Sequence, residues 1–392
     1  MNDDWKWKVI VYGTIWDINL IDDLAKNYRT IEKIIVEKNI IHGTGVGIKG
    51  NDKKSSKHLI GKKYIEPKKN IDHFYLKLDD KILFNYETVH RPRKKELFIT
   101  PAKYCFLKKG ININTFKMRA VYSCIEDNKG IVFNDDIHAF KMDAFDNDNT
   151  LLVLTVLFNS SFYSYMNLLK GSSLGIEREQ RFIDEVILFP YPNEDYEPKI
   201  AKKVIEIQNC VKNNFFGFNE DIQNKTEELD NIIFEAFNLK NNEFVKYVID
   251  IQIDMLTRKE NINKKVNKKE LKKYANYFIN YFKPIYSKLH KHIGITFYQN
   301  QYFTIFEIIE SDIRVDEMKF EQISENDLMK NFFIKISFDK ISDLFFSMKN
   351  VMNFEPNSFF IVKTNEYKNW HPACAIMDLS NVIDYAMTGD NK

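Results

Sequence analysis

The sequence predicts an α+β fold, with an irregular β-rich module, a helical connector and a smaller C-terminal α+β domain. Three patterns carry that expectation. Between Gly43 and Ala144 the apolar runs are short and separated by Gly, Pro, Asn and Asp, the punctuation of strands and turns. From Ile200 to Leu289 apolar residues recur with helical spacing, and from Ile293 onward strand-like runs return. With 392 residues, 44% of them hydrophobic, the chain is long enough for two or three compact domains and too apolar to be disordered.

Taken in order, residues 1–42 read as a short strand through Val9, Ile10 and Val11, then a helix carrying Leu20, Ile21, Leu24, Tyr28 and Ile31. Residues 43–198 form the β-rich module, with strand-sized runs at Ile82–Phe84, Leu97–Ile99, Ala120–Tyr122 and Gly130–Phe133. Thr150 to Leu169 reads as one helix that stops at Gly171, Ser172 and Ser173. Pro190, Pro192 and Pro198 mark a boundary. The helical region, 199–290, contains a basic portion from Arg258 to Lys273, which reads either as a solvated connector or as a nucleic-acid face. Residues 291–392 close the chain with strands at Ile295–Phe297, Tyr302–Ile309, Phe333–Phe338 and Phe359–Val362.

A formal net charge of +2 hides a strong asymmetry. Gly43–Arg119 holds 19 Lys or Arg against 7 Asp or Glu, a net of +12, whereas Ala120–Pro198 holds 5 against 14, a net of −9. Each cation that meets a phosphate releases a counterion and adds salt-dependent affinity, so the basic segment is a candidate DNA face. Solvated loops in a lysine-rich chain are the alternative. Lys53, Lys54, Arg91, Arg93, Lys94, Lys95, Lys108, Lys109, Lys117 and Arg119 are the candidate DNA contacts.

The sequence lacks the usual catalytic strings. The glycines at 43, 45, 47 and 50 have no buried strand before them and no helix opening on them, so they do not form a dinucleotide or S-adenosylmethionine fingerprint. A turn that brings backbone close to a partner suits them better. No Pro-Pro occurs, which excludes the Asn/Asp-Pro-Pro-aromatic tetrapeptide of amino-methyltransferases. Glu66-Pro-Lys68 and Glu197-Pro-Lys199 place Pro where a nuclease strand would need a ladder hydrogen bond. His290 and His292 lack the helical spacing of a zinc protease site. Cys105, Cys124, Cys210 and Cys374 show no metal spacing and suit a reducing cytoplasm. No membrane segment is expected.

Longer strings carry a resemblance. Leu157 to Phe162 (Leu-Phe-Asn-Ser-Ser-Phe) is followed by Ser172, Ser173 and then Gly-Ile-Glu-Arg-Glu-Gln at 175–180, and by Leu188 to Pro192 (Leu-Phe-Pro-Tyr-Pro). Tyr12-Gly13-Thr14, Asp17, the glycine string, Phe98 to Pro101 and Phe116 to Ala120 precede them in order. This arrangement resembles the target-recognition region of N-6 adenine DNA methylases of the restriction–modification and phage-defence type, over about Trp5 to Pro192. Ser358 to Lys363, Asn369, Trp370, Ala373 and Ala375 to Asp378 resemble the closing strand and helix of the same proteins.

In that family a catalytic methyltransferase domain precedes this region. The resemblance therefore implies a specificity subunit that directs a separate N6-adenine methyltransferase subunit to double-stranded DNA. S-adenosylmethionine would be bound by that partner and no cofactor by this chain, and a nuclease or helicase of the same system is a further expected partner. Trp5, Trp7 and Val9–Leu24 would dock on the catalytic subunit or else form a local core. Ser172, Arg178, Gln180 and Arg181 join the candidate DNA contacts, although Glu177, Arg178 and Glu179 also suit a salt-bridged turn. A free-standing nucleic-acid-binding protein, the remnant of a disrupted methylase gene, and a nuclease with an unrecognised site are the alternatives.

The purified chain is expected to transfer no methyl group from S-adenosylmethionine to DNA. Incorporation of labelled methyl by this polypeptide alone, free of other proteins, would refute the split arrangement.

Overall fold

The structure, a computed structural model, describes residues 5–71, 74–112, 116–172, 183–213, 220–256, 264–314, 318–324 and 351–388. The chain divides into two compact units, Met1–Arg258 and Lys259–Lys392. Each combines helices with sheet, an α+β fold.

The first unit opens with α1 (Lys6–Tyr12), α2 (Ile15–Asn27) and α3 (Ile31–Glu37). The strand expected around Val9 is instead the middle of α1. Propensity is a weak force, and burial decides here: Val9 enters the core while Ile10 and Val11 remain exposed. The Lys8 ammonium donates to the Gly171 carbonyl at the end of a later helix, a favourable place for a cation. Burial pushes that ammonium down to about 8. Asp17, fully buried, accepts from the Thr14 backbone N–H at 2.7 Å and from the Tyr165 hydroxyl at 2.7 Å. It starts α2 and ties it to the same later helix.

Four antiparallel strands, β1 (Ile41–Thr44), β5 (Ala102–Lys108), β6 (Ala120–Ile125) and β8 (Ile137–Asp143), form a sheet in the order β1-β8-β5-β6. Two small pairs flank it: β2 (Lys54–Ser55) with β4 (Thr88–Val89), and β3 (Lys63–Ile65) running parallel to β7 (Ile131–Phe133). A single turn, α4 (Pro67–Asn70), follows β3. Successive side chains leave a strand on opposite faces. Accordingly Tyr104, Phe106, Val121 and Ala139 pack with Val46, Phe84, Phe98 and Phe133 in one core, and Cys105, Leu107, Ala120 and Phe140 belong to a second. Both faces are covered, so β8 is buried continuously from Ile137 to Met142 rather than on alternate residues.

The second core is built on α5 (Thr150–Asn159), every residue of which is buried. It packs on β5, β6 and β8 and also on α8 (Glu197–Asn213), so no side of it is left for water. The single helix expected over Thr150–Leu169 is two: α6 (Ser161–Lys170) departs at 67° to α5. Three consecutive residues make that corner. Ser160 is extended, and its hydroxyl accepts from the Tyr163 N–H at 3.1 Å as an N-cap. Asn159 accepts from the Ala120 N–H at 3.2 Å and donates to the Ala120 and Thr155 carbonyls at 2.8 Å each. Ser161 donates from its N–H and hydroxyl to the two oxygens of Asp230, at 2.8 and 2.7 Å. Among the described residues no single helix is long and apolar enough to cross a membrane; α5 and α6 reach that length together, but bent and buried.

The unit is completed by α7 (Ile183–Val186), α8, α9 (Glu220–Ala236), α10 (Glu243–Tyr247), a wide turn over Val248–Ile253, and α11 (Asp254–Leu256). The helical stretch expected as one connector over 199–290 is thus divided. Ile200, Val204, Ile207, Leu229 and Ile233 share a core with Val9, Ile21 and Ile34 of the N-terminal helices, so 1–42, the β-rich module and these helices form one unit.

In the second unit α12 (Lys268–Lys288) and α13 (Pro372–Thr388) pack together beside a sheet ordered β11-β9-β10-β13-β12. Its strands are β9 (His292–Gln299), β10 (Phe303–Ser311), β11 (Lys319–Gln322), β12 (Val351–Glu355) and β13 (Ser358–Thr364). The strand expected over Phe333–Phe338 lies outside the described residues. Asn267 and Glu270 cap α12 reciprocally. At the core the ammonium of Lys363 meets Asp378, with side chains 4% and 6% exposed, and lies 5.4 Å over the Tyr274 ring and 5.7 Å over Trp370. Tyr274 donates to the same carboxylate at 2.6 Å, so the buried charge is paired and hydrogen-bonded.

Asn159→Ala is expected to destabilise the first unit by about 2–4 kcal/mol, because it strands the N–H and carbonyl of buried Ala120. Denaturant unfolding checks this, and a loss below about 0.5 kcal/mol would show that the corner does not depend on Asn159.

Candidate nucleic-acid interface

Register places the basic residues. Thr44 of β1 pairs with His138 near the start of β8, Lys108 at the end of β5 with Ile137, and Leu107 with Ala120 at the start of β6. The end of β1, the start of β8, the end of β5 and the start of β6 therefore lie at one end of the sheet. Lys108, Lys109 and Arg119 emerge there by chain geometry alone. Arg91 is brought to the same end by a two-way backbone bridge with Gly47, at 3.0 Å in each direction.

The glycines just before that bridge pack closely against neighbouring segments. A Cβ on Gly45 would lie 2.2 Å from the carbonyl oxygens of Phe133 and Asn134, and one on Gly43 would lie 2.7 Å from Leu97. The close approach expected of these glycines is thus to the chain's own backbone. Arg93 follows at φ +66, a left-handed conformation that is costly for a bulky residue, with its Nε donating to the Gly45 carbonyl at 3.2 Å.

Electrostatics groups the cations. Burial pushes the Arg93 guanidinium down, neighbouring Arg91 adds to the effect and Asp135 opposes it. Lys109 is pushed down by burial, with Asp135 and Asp136 opposing and Arg93 and Arg91 adding. Lys108 is pushed down by burial, then by Arg119 and Lys68. Arg91, Arg93 and Lys109 thus form one cluster, and Lys108, Arg119 and Lys68 a second beside it. None of Arg91, Arg93, Lys94, Lys108, Lys109 and Arg119 has a carboxylate within salt-bridge distance among the described residues. Lys95 stands near His58 and Lys62, and its charge contributes, after burial, to holding that imidazole down. Lys53 is exposed and closes a turn onto the Ile48 carbonyl at 2.7 Å, next to exposed Lys54 in β2.

Two expected contacts are committed elsewhere. Lys117 pairs with Asp230 at 2.7 Å and reinforces the α5–α6 corner, so it is part of the frame. The Ser172 N–H donates to Glu185 at 3.1 Å, beyond the end of α6. Arg178, Gln180 and Arg181 lie outside the described residues. Several acidic residues of 120–198 serve internal pairs as well: Asp127 with Lys63, Asp148 with Lys38 and Glu194 with Arg29.

Sequence reasoning missed His42 and His138, 96 residues apart, whose Nδ1 and Nε2 atoms approach to 3.1 Å. Burial, then Lys94, lowers His42, with Asp184 opposing. Burial, then His42, Lys109 and Arg93, pushes His138 down to about 3. The available signal was a histidine inside the apolar run Ile137–Phe140 and another immediately before the glycines. Among the described residues no group of three or more His, Cys, Asp or Glu is placed to hold a metal ion.

No protein-family model matches the chain, and no curated protein matches it in sequence.

His138 gives a pH dependence with a definite sign. As pH falls through 6.5 the unfolded chain binds a proton that the folded chain refuses, so stability intact above 6.5 is lost at about 1.4 kcal/mol per pH unit below it. Between pH 6.5 and about pH 5 the protein is expected to lose about 2 kcal/mol more than His138→Phe does. Denaturant titrations at both pH values check this, and parallel losses would contradict it.

Proposed function

We propose that this chain binds double-stranded DNA with one end of its four-stranded sheet. It acts in the cytoplasm as the specificity subunit of an N6-adenine methyltransferase whose catalytic subunit, with its S-adenosylmethionine, is a separate chain. The observation that carries the DNA reading is the crowding of Arg91, Arg93 and Lys109, with Lys94, Lys108 and Arg119 near them, without salt-bridge partners among the described residues. Like charges crowded at a built surface are compensated by a polyanion. Their emergence from several turns of one rigid sheet suits groove recognition, in which phosphate contacts position and base contacts specify.

The subunit reading rests on the resemblance of the strings around Asn159 and 175–180, and it has support from the surface of α1 and α2. Trp7, Ile10, Val11, Ile15 and Trp16 are between 46% and 79% exposed on two adjoining helices, an apolar area suited to a protein partner. A nuclease or helicase of the same system would join through the catalytic subunit.

Neutralising Lys94 and Lys95 together to Gln is expected to reduce the magnitude of the log K against log salt slope for duplex DNA by about 1–2. An unchanged slope would remove that cluster from the interface. Ile10→Asp with Val11→Asp is expected to abolish co-purification with a co-expressed N6-adenine methyltransferase subunit while leaving DNA binding within twofold; undiminished co-purification would show that this surface is not the docking site.

A further inference from the structure

The His42–His138 pair sits beside Lys94, Arg93 and Lys109, and its geometry bears on which ring nitrogen of each carries the hydrogen. His42 on β1 pairs across the ladder with Phe140 of β8, and His138 lies two residues from Phe140 on the same face. The His42 ring stacks on Phe140 at 5.8 Å and 12°, and His138 tilts against it at 5.1 Å. His138 is 3% exposed, and its Nδ1 is buried with no hydrogen-bond partner.

A neutral His138 has one ring proton and two places for it. If Nδ1 carried it, Nε2 would accept from His42 Nδ1–H, and a buried N–H donor would be orphaned. If Nε2 carries it, His138 donates to His42 Nδ1, and the atom left unpaired is only a lone pair. Orphaned buried donors are the rarer and costlier of the two. The second arrangement is therefore adopted. His42 Nδ1 is then an acceptor, and its single proton resides on Nε2. His42 makes one hydrogen bond, the one to His138, and is half-buried, so Nε2–H is a free donor held by stacking.

We propose that His42 is a base-reading residue, locked by His138 as a neutral Nε2–H donor that recognises the acceptor edge of a purine, N7 foremost, in the major groove. The proposal rests on the DNA-binding reading above. Lys94 beside His42, and Arg93 and Lys109 beside His138, are the charged groups suited to phosphate; the facing anion is Asp184. A recessed neutral donor among them adds little to backbone affinity and fits the purine N7 acceptor that the major groove displays.

Two measurements test it. Ring-nitrogen NMR of the wild-type protein is expected to show His42 protonated on Nε2 and bare on Nδ1; a proton on Nδ1 overturns the lock. Selection from a randomised duplex library at low salt is expected to give a motif in which His42→Ala relaxes a purine preference at one position by about tenfold, with other positions unchanged. Replacing that purine by its 7-deaza analogue should cost the wild type a similar factor and the variant nothing further. A motif unchanged in His42→Ala, or a variant that weakens all sequences alike as a phosphate contact would, overturns the proposal while DNA binding stands. Wild-type protein that retains no duplex at low salt overturns the DNA reading itself, and this inference with it.

Discussion

The corner between α5 and α6 is the constraint on which the first unit depends. Asn159 takes the place of a neighbouring strand for Ala120, satisfying its N–H and carbonyl at the edge of the sheet. Ser161 and Lys117 converge on Asp230 and so fasten α9 to the same point. Without the turn at Ser160 a straight helix would carry Phe162, Tyr163 and Tyr165 away from the core they fill. Tyr165 reaches Asp17 and Lys8 reaches Gly171, so the N-terminal helices are positioned by α6, and through it by the corner. Sheet, N-terminal helices and α9 share one reference point.

Much of the architecture was legible because its signals are local. The runs that become β6, β7, β9, β10 and β13 are short, apolar and bounded by turn residues, which is enough to place a strand. The strands expected at Ile82–Phe84 and Leu97–Ile99 are instead an irregular segment with a single bridge at Leu83 and a tight helical turn over Lys95–Phe98. The rest of what escaped depends on distant partners. Val9–Val11 looks like a strand in isolation, and only docking on α6 makes it helical. Ser160 lies inside an unbroken apolar period, so its capping role shows only once Tyr163 and Asn159 have found their partners. The cations divide in the same way. Lys109 and Lys117 are equivalent as letters, and the difference is Asp230, 113 residues beyond Lys117. Charge asymmetry located the basic segment, but which of its lysines remain uncommitted is a property of the fold.

The second unit is organised differently, around one buried charge. Lys363 enters a box made of Tyr274, Trp370 and Asp378, with the Asn369 carbonyl accepting from it at 3.0 Å. Carbonyl, carboxylate and the two ring faces together replace the hydration it lost. Residues from α12, β13 and α13 meet in this box, so the ion pair specifies how those three elements align as much as it stabilises them. Three of the residues singled out in the C-terminal strings, Lys363, Trp370 and Asp378, place their side chains in the box.

The arrangement of turns at the basic end of the sheet has a consequence for how such a surface diversifies. Each turn is anchored by its own ladder: the glycine turn by β1 and β8, the Lys108–Lys109 turn by β5, the Arg119 approach by β6. Insertions or exchanges in one turn leave the register of the others untouched, since closing a slightly longer loop costs little. Drift in lineages carrying this scaffold would therefore be uneven, rapid at the tips and slow at Asn159, Ser160 and Asp230. A population of such proteins could explore new binding preferences one turn at a time without passing through an unfolded ancestor.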